Sequence, residues 1–142
     1  MPVRVKVRAV IWIDDQIAVH RTERRGQEHV TLPGGRVNER ESVTNALHRE
    51  VLEELGVEIV IGDLLFAAEV QSGARRQDVE LVFNASLRDA GDRERLEVVD
   101  PTDPGVEVLP PVLGYLSPKS GLRGYQRWLG NVYTPRPRDA SL

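Results

Sequence analysis

Residues 35–57 read GRVNERESVTNALHREVLEELGV, and within this stretch the apolar period becomes that of a helix. Val43, Leu47, Val51 and Leu55 recur every four residues and form one apolar stripe. Ser42 is placed to cap the N-terminus, and Gly56 to stop the C-terminus. Glu50, Glu53 and Glu54 stand at i, i+3 and i+4, so at about 100° per residue their carboxylates share one side of the helix. Glu50 and Glu54 fall within about 40° of the stripe, at the edge of the buried face rather than in open water. A like-charge i, i+4 pair costs roughly 0.2–0.5 kcal/mol on an exposed helix. Partial burial raises that cost. A hard divalent cation removes the conflict, and magnesium prefers carboxylate oxygens while keeping waters that phosphates can replace. The same residues also describe a solvated acidic face on which Arg49 pairs with Glu53 at i+4.

Outward from the helix the period is two. Val3, Val5 and Val7 alternate with Arg4, Lys6 and Arg8, then run into the apolar Ala9–Ile13. Asp14-Asp15 predicts a tight turn and Gln16–Arg21 the return strand of a hairpin. Thr22–His29 is polar and reads as a loop. Val30–Leu32 is a short extended piece that stops at Pro33-Gly34-Gly35. Beyond the helix, strands are expected at Val57–Ile61, Leu64–Val70 and Val79–Leu87. Arg88–Gly105 reads as a long charged loop with room for a helical turn, and Val106–Leu109 as a last short strand. Weak helices are expected at Val112–Leu116 and Leu122–Leu129. These elements predict a single domain over residues 1–133 and a flexible tail over 134–142. One central helix among several strands gives an α/β class, a mixed sheet with helices on both faces.

The spacing G-x5-E-x7-R-E-U-x-E-E-x-G-U, with U aliphatic, is filled at all nine positions by Gly35, Glu41, Arg49, Glu50, Val51, Glu53, Glu54, Gly56 and Val57. This resembles the complete Nudix box, and Leu32-Pro33-Gly34-Gly35 resembles the family's entry to it. The resemblance implies an α/β/α sandwich and a hydrolase that cleaves a pyrophosphate bond in a nucleoside diphosphate-linked substrate. It implies that Glu50, Glu53, Glu54 and the Gly35 carbonyl hold magnesium, for which manganese can substitute. Within the box Glu53 is the candidate base, Arg49 would orient it, and Glu41 would pair with Arg49 to tie the loop to the helix. Arg21, at the end of the second strand, stands where members often place a phosphate-binding arginine. Asp100 or Asp103 could add an acid to the site, and Glu80 could face the cleft or join a cross-strand ion pair. His20 and His29 read as ordinary strand or surface residues.

Departures from the family bear on the substrate. Val30 stands where many members have tryptophan, and residues 57–100 contain neither proline nor tyrosine. These absences tell against ADP-ribose and diadenosine polyphosphates and leave nucleoside triphosphates or modified nucleotides. Trp12 and Phe83 read as core. Tyr115, Tyr125, Trp128 and Tyr133 could line a base pocket, fill the core or join a homodimer contact. The other functional reading is a non-catalytic nucleotide-binding or sensing module.

The bulk numbers agree with one globular domain: 142 residues, 40 % hydrophobic and 29 % charged. With no cysteine, disulfides and thiolate metal sites are excluded. A net charge of −3 argues against a stable nucleic-acid complex. No apolar run reaches the roughly 20 residues of a membrane helix, and no signal core is present. The expected setting is therefore the cytoplasm, and the expected partner a small-molecule nucleotide.

Overall fold

The computed structural model describes residues 3–71, 76–116 and 127–132. Its strands are β1 (Arg4–Ile13), β2 (Gln16–Arg24), β3 (Gln27–Thr31), β4 (Gly34–Arg36), β5 (Ile59–Gln71), β6 (Gln77–Leu87), β7 (Glu97–Val99) and β8 (Trp128–Asn131). The helix α1 spans Val43–Leu55. The sheet order is β3-β2-β1-β6-β5-β8, with β4 paired to β1 and β7 to β2. β1 runs parallel to β6 and antiparallel to β2 and β4, so the sheet is mixed, as expected.

Alternation along β1 decides what each face holds. Val7, Ala9 and Ile11 pack with Ala46, Leu47 and Val51 of α1 and with Val57 and Ile59. Val10 faces the other way, into a core built with Ile17, Val19, Leu32, Phe66, Val82, Val112 and Leu116. Each fully buried side chain such as Leu47 or Val51 contributes roughly 1.5–3 kcal/mol. Lys6 and Arg8 lie on the same face of β1 as Val10, at the end where that core gives way to a cleft.

The helix forms where the sequence places it. Ser42 accepts a hydrogen bond from the Asn45 amide at 3.1 Å, and Gly56 adopts φ 69° while donating to Leu52. The Asp14-Asp15 turn joins Ile13 to Gln16 directly.

Other expectations are corrected. Thr22–His29 is not a loop: β2 and β3 form a hairpin closed by Arg25-Gly26, whose φ angles are 55° and 75°. Both values are positive, as a two-residue hairpin turn requires, but the polar composition conceals the strands. Gly34-Gly35 does not stay outside the sheet; with Arg36 it re-enters as β4. The two strands expected at Val57–Ile61 and Leu64–Val70 are one, β5, whose register shifts between Ile61 and Phe66. Gly62-Asp63 marks this irregularity rather than a turn. Within the Arg88–Gly105 loop a 3-10 turn covers Ala90–Arg95, and β7 adds a strand that the charged composition does not signal. Val106–Leu109 is not a strand; only Leu109 bridges, to Thr31. Val112–Leu116 contributes a single 3-10 turn. The helix expected up to Leu129 is replaced at its end by β8, and residues 122–126 lie outside the described residues. So do Tyr125, Tyr133 and the 134–142 tail. Among the described residues no helix is long and apolar enough to cross a membrane.

Candidate active site

Gly34 and Gly35 open a window between α1 and the cleft. Gly35 sits opposite Val7, and an added Cβ there would lie 2.6 Å from the Glu50 carboxyl carbon. The Glu50 carboxylate therefore occupies the space a side chain at 35 would take. The Gly34 amide donates to Glu54 Oε1 at 2.8 Å. Glu50 and Glu54 thus reach the cleft past backbone alone.

Arg49 braces this edge. Its Nε and Nη2 donate to the two oxygens of Glu41 at 2.8 and 2.9 Å, Nη1 to Glu50 at 2.9 Å, and Nη2 to the Arg36 carbonyl at 3.0 Å. Glu53 lies further off, 3.4 Å from Nη1, and is exposed. The structure thus brings Glu41, Arg49, Glu50 and Glu54 together with Gly35 and leaves Glu53 exposed, outside the residues that line the cleft.

The charge state of the site follows from these bonds. Hydrogen bonds from Arg49 and then from the Asn38 amide hold the Glu41 carboxyl down at about 2. A depressed carboxyl pKa contributes stability above its ordinary value of 4.5 that is lost as pH falls toward 2. A carbon-13 NMR titration is expected to place the Glu41 midpoint near 2, and Arg49→Gln to return it toward 4.5. A wild-type midpoint in the ordinary range would show that the brace does not form in solution. Glu54 moves the other way: burial raises its pKa most, the Gly34 amide and His20 oppose this, and Glu50 adds to the rise.

These residues fit a divalent cation in part. Two neighbouring carboxylates, both largely withdrawn from solvent, are the donor set a hard cation takes. Among the described residues no three acidic or histidine side chains converge as a ready-made site. The fit is with Glu50 and Glu54; Glu53 is exposed and paired with Arg49 instead.

The cleft encloses about 910 Å³ and is lined by Arg4, Lys6, Arg8, Glu50, Glu54 and Glu80, among others. Glu80 satisfies both of its alternatives at once. It faces the cleft and pairs with Arg8, Nε to Oε1 at 2.6 Å, with Arg8 8 % and Glu80 3 % exposed. Arg8 also donates to the Leu32 carbonyl at 3.1 Å, anchoring the strand that leads to the glycines.

Arg21 borders the cleft, but Glu28 and Glu97 both hold its guanidinium and raise its pKa, Glu97 more than Glu28. A phosphate would have to compete with both carboxylates. Asp100 and Asp103 are exposed, accept bonds within their own turns and do not border the cleft. His20, an ordinary strand residue on sequence grounds, lines the cleft with Nε2 3.8 Å from Glu54. No spacing signals it, because its proximity to Glu54 arises from the path of β2. Trp12 is partly buried, its indole N–H donating to Asn84, and Tyr115 packs on Phe66 with centroids 6.1 Å apart. Trp128 is exposed on β8. Among the described residues no aromatic ring other than histidine borders the cleft.

Residues 2–111 match the family model of the NUDIX domain. A MutT NUDIX hydrolase from Burkholderia pseudomallei is similar in structure at 28 % identity and TM-score 0.63, over 78 % of this chain and 92 % of that one. A NUDIX hydrolase from Nitrosomonas europaea is similar at 25 % identity and TM-score 0.57, over 62 % of this chain but only 61 % of its own length. A second Nitrosomonas europaea NUDIX hydrolase shares the fold across 96 % of this chain and 81 % of its own, at 16 % identity and TM-score 0.67. No curated protein matches the chain.

Proposed function

The chain belongs to the NUDIX family of hydrolases, and from that premise we propose that it is a magnesium-dependent pyrophosphohydrolase acting on a nucleoside triphosphate or modified nucleotide. The observation that carries this reading is the pair Glu50 and Glu54, presented through a glycine window into a cleft that several arginines and Lys6 also line. Glu50, Glu54 and the Gly35 carbonyl would hold the cation, with Glu53 swinging in. Magnesium, when bound, neutralises pyrophosphate charge and makes water at the site more acidic.

The chain's own residues do the rest. Arg49 fixes the Glu50 carboxylate and, through Glu41 and the Arg36 carbonyl, locks α1 to β4. Glu53, exposed beside Arg49, would be the group that accepts a proton from the attacking water. Arg8 and Glu80 hold the Leu32–Gly34 backbone on which the window depends.

The test is a panel of nucleoside triphosphates, oxidised nucleotides, nucleotide sugars and dinucleotides, assayed in magnesium, in manganese and in chelator, with phosphate measured after inorganic pyrophosphatase for the triphosphates and after alkaline phosphatase for the sugars and dinucleotides. Turnover of at least one compound, abolished by chelator, is expected. Tight nucleotide binding without turnover in either metal would instead establish a non-catalytic sensing module.

A further inference from the structure

We propose that Lys6 and Arg4, anchored by Asp78, form an anion subsite that takes an extra phosphate beyond the scissile pyrophosphate. The site would thereby favour nucleoside triphosphates over substrates that end in a neutral group. This rests on the pyrophosphohydrolase reading and names its substrate class.

Charge is out of balance on one face of β1. Residues 4, 6 and 8 point to the same side, about 6.6 Å apart from one to the next. Arg8 is matched one to one by Glu80 and bonded to backbone carbonyls, so it is committed to the fold. Arg4 and Lys6 are not matched in this way. Both use the single carboxylate of Asp78, which is 4 % exposed. Arg4 reaches it at 2.9 and 3.3 Å and Lys6 at 3.5 Å, and Arg76 approaches the same oxygen at 3.8 Å. Two cations on one buried carboxylate leave positive charge over in a concave, partly desolvated place. Burial, and next the Arg8 charge, lower the Lys6 pKa, while Asp78 and Glu80 pull it the other way.

The place is also right. Lys6 stands opposite Arg36, one residue along from the Val7–Gly35 pair against which Glu50 packs. The surplus charge lies on the opposite face of β1 from that pair but lines the same cleft as Glu50 and Glu54. Phosphate, with several acceptor oxygens and up to two charges, matches an ammonium beside a guanidinium. With no ring other than histidine along the described wall, charge is the recognition this wall supplies.

The experiment compares UTP with UDP-glucose, which share the base and a pyrophosphate bond but differ in the terminal group. It also measures binding of inorganic tripolyphosphate in chelator by calorimetry. Lys6→Met is expected to raise KM about tenfold or more for UTP and to weaken tripolyphosphate by a similar factor, while UDP-glucose shifts much less. Lys6→Arg should restore both, and Arg4→Met should reproduce the selective loss. If wild-type protein hydrolyses nucleotides and both Met variants leave UTP and tripolyphosphate within about twofold, the subsite is overturned while the pyrophosphohydrolase reading stands. An equal loss on UTP and UDP-glucose overturns the selection. If nothing is hydrolysed but tripolyphosphate binds through Lys6, the activity fails and the subsite stands. Without hydrolysis or tripolyphosphate binding, both fail.

Discussion

Glu54→Gln is expected to lower turnover about a thousandfold, roughly 4 kcal/mol in the barrier, with the fold intact. The amide has the size of the carboxyl and keeps an oxygen for the Gly34 N–H that now donates at 2.8 Å. What it removes is the negative charge beside Glu50. In the metal-free protein that charge is a burden, because burial and Glu50 both push the Glu54 pKa up. The variant should therefore unfold no earlier than wild type in chelator, while magnesium should raise the wild-type Tm and leave the variant's almost unmoved. Gly35→Ala should reach a similar loss of activity by another route. Its Cβ meets the far end of the Glu50 side chain, which can swing aside at little cost to the fold. Kinetics by phosphate release and unfolding by circular dichroism separate these effects. A Glu54→Gln enzyme within about tenfold of wild-type turnover would mean that the cation is held elsewhere.

Gly34→Ala should act on stability instead. Gly34 has φ 142°, a conformation that side-chain-bearing residues rarely adopt. An added Cβ would lie 1.9 Å from the Val7 carbonyl oxygen and 2.9 Å from the Arg8 Cα, both backbone atoms in the middle of the sheet. Neither can turn away as the end of a side chain can. Strain and overpacking together cost about 3–5 kcal/mol, a large share of the roughly 5–15 kcal/mol that holds a domain folded. At this chain length the Tm should fall by about 10 °C or more. A Tm within about 2 °C of wild type would show that β4 does not pair with β1 as described. The neighbouring glycines are thus separable: substitution at 35 reports on the site, and at 34 on the sheet.

Much of the site is legible in the sequence because its signals are local. Helical period, cap, stop and the i, i+3, i+4 carboxylates all lie within one 23-residue stretch. Arg49 and Glu41 are eight residues apart, one on α1 and one in the turn before it, and their side chains meet at 2.8 Å. The Thr22–His29 part of the β2–β3 hairpin is less legible, since it is polar and the pattern of a half-buried strand is missing there. The Arg25-Gly26 turn is the signal that the sequence offers for it. β7 is three residues long, too short for any period to show.

From the sequence alone come α1, its acidic edge, the strand at Arg4–Ile13 and the family to which the box points. Tertiary structure alone decides what the cations do. Arg21 is spent on Glu28 and on Glu97, 76 residues away. Arg8 is neutralised by Glu80 across 72 residues, and Arg4 and Lys6 share Asp78. The three basic residues of β1 look equivalent in sequence because alternation fixes only the face to which a side chain points. Whether the charge on that face is balanced depends on the parallel register with β6, a pairing between distant segments that leaves no mark in either strand.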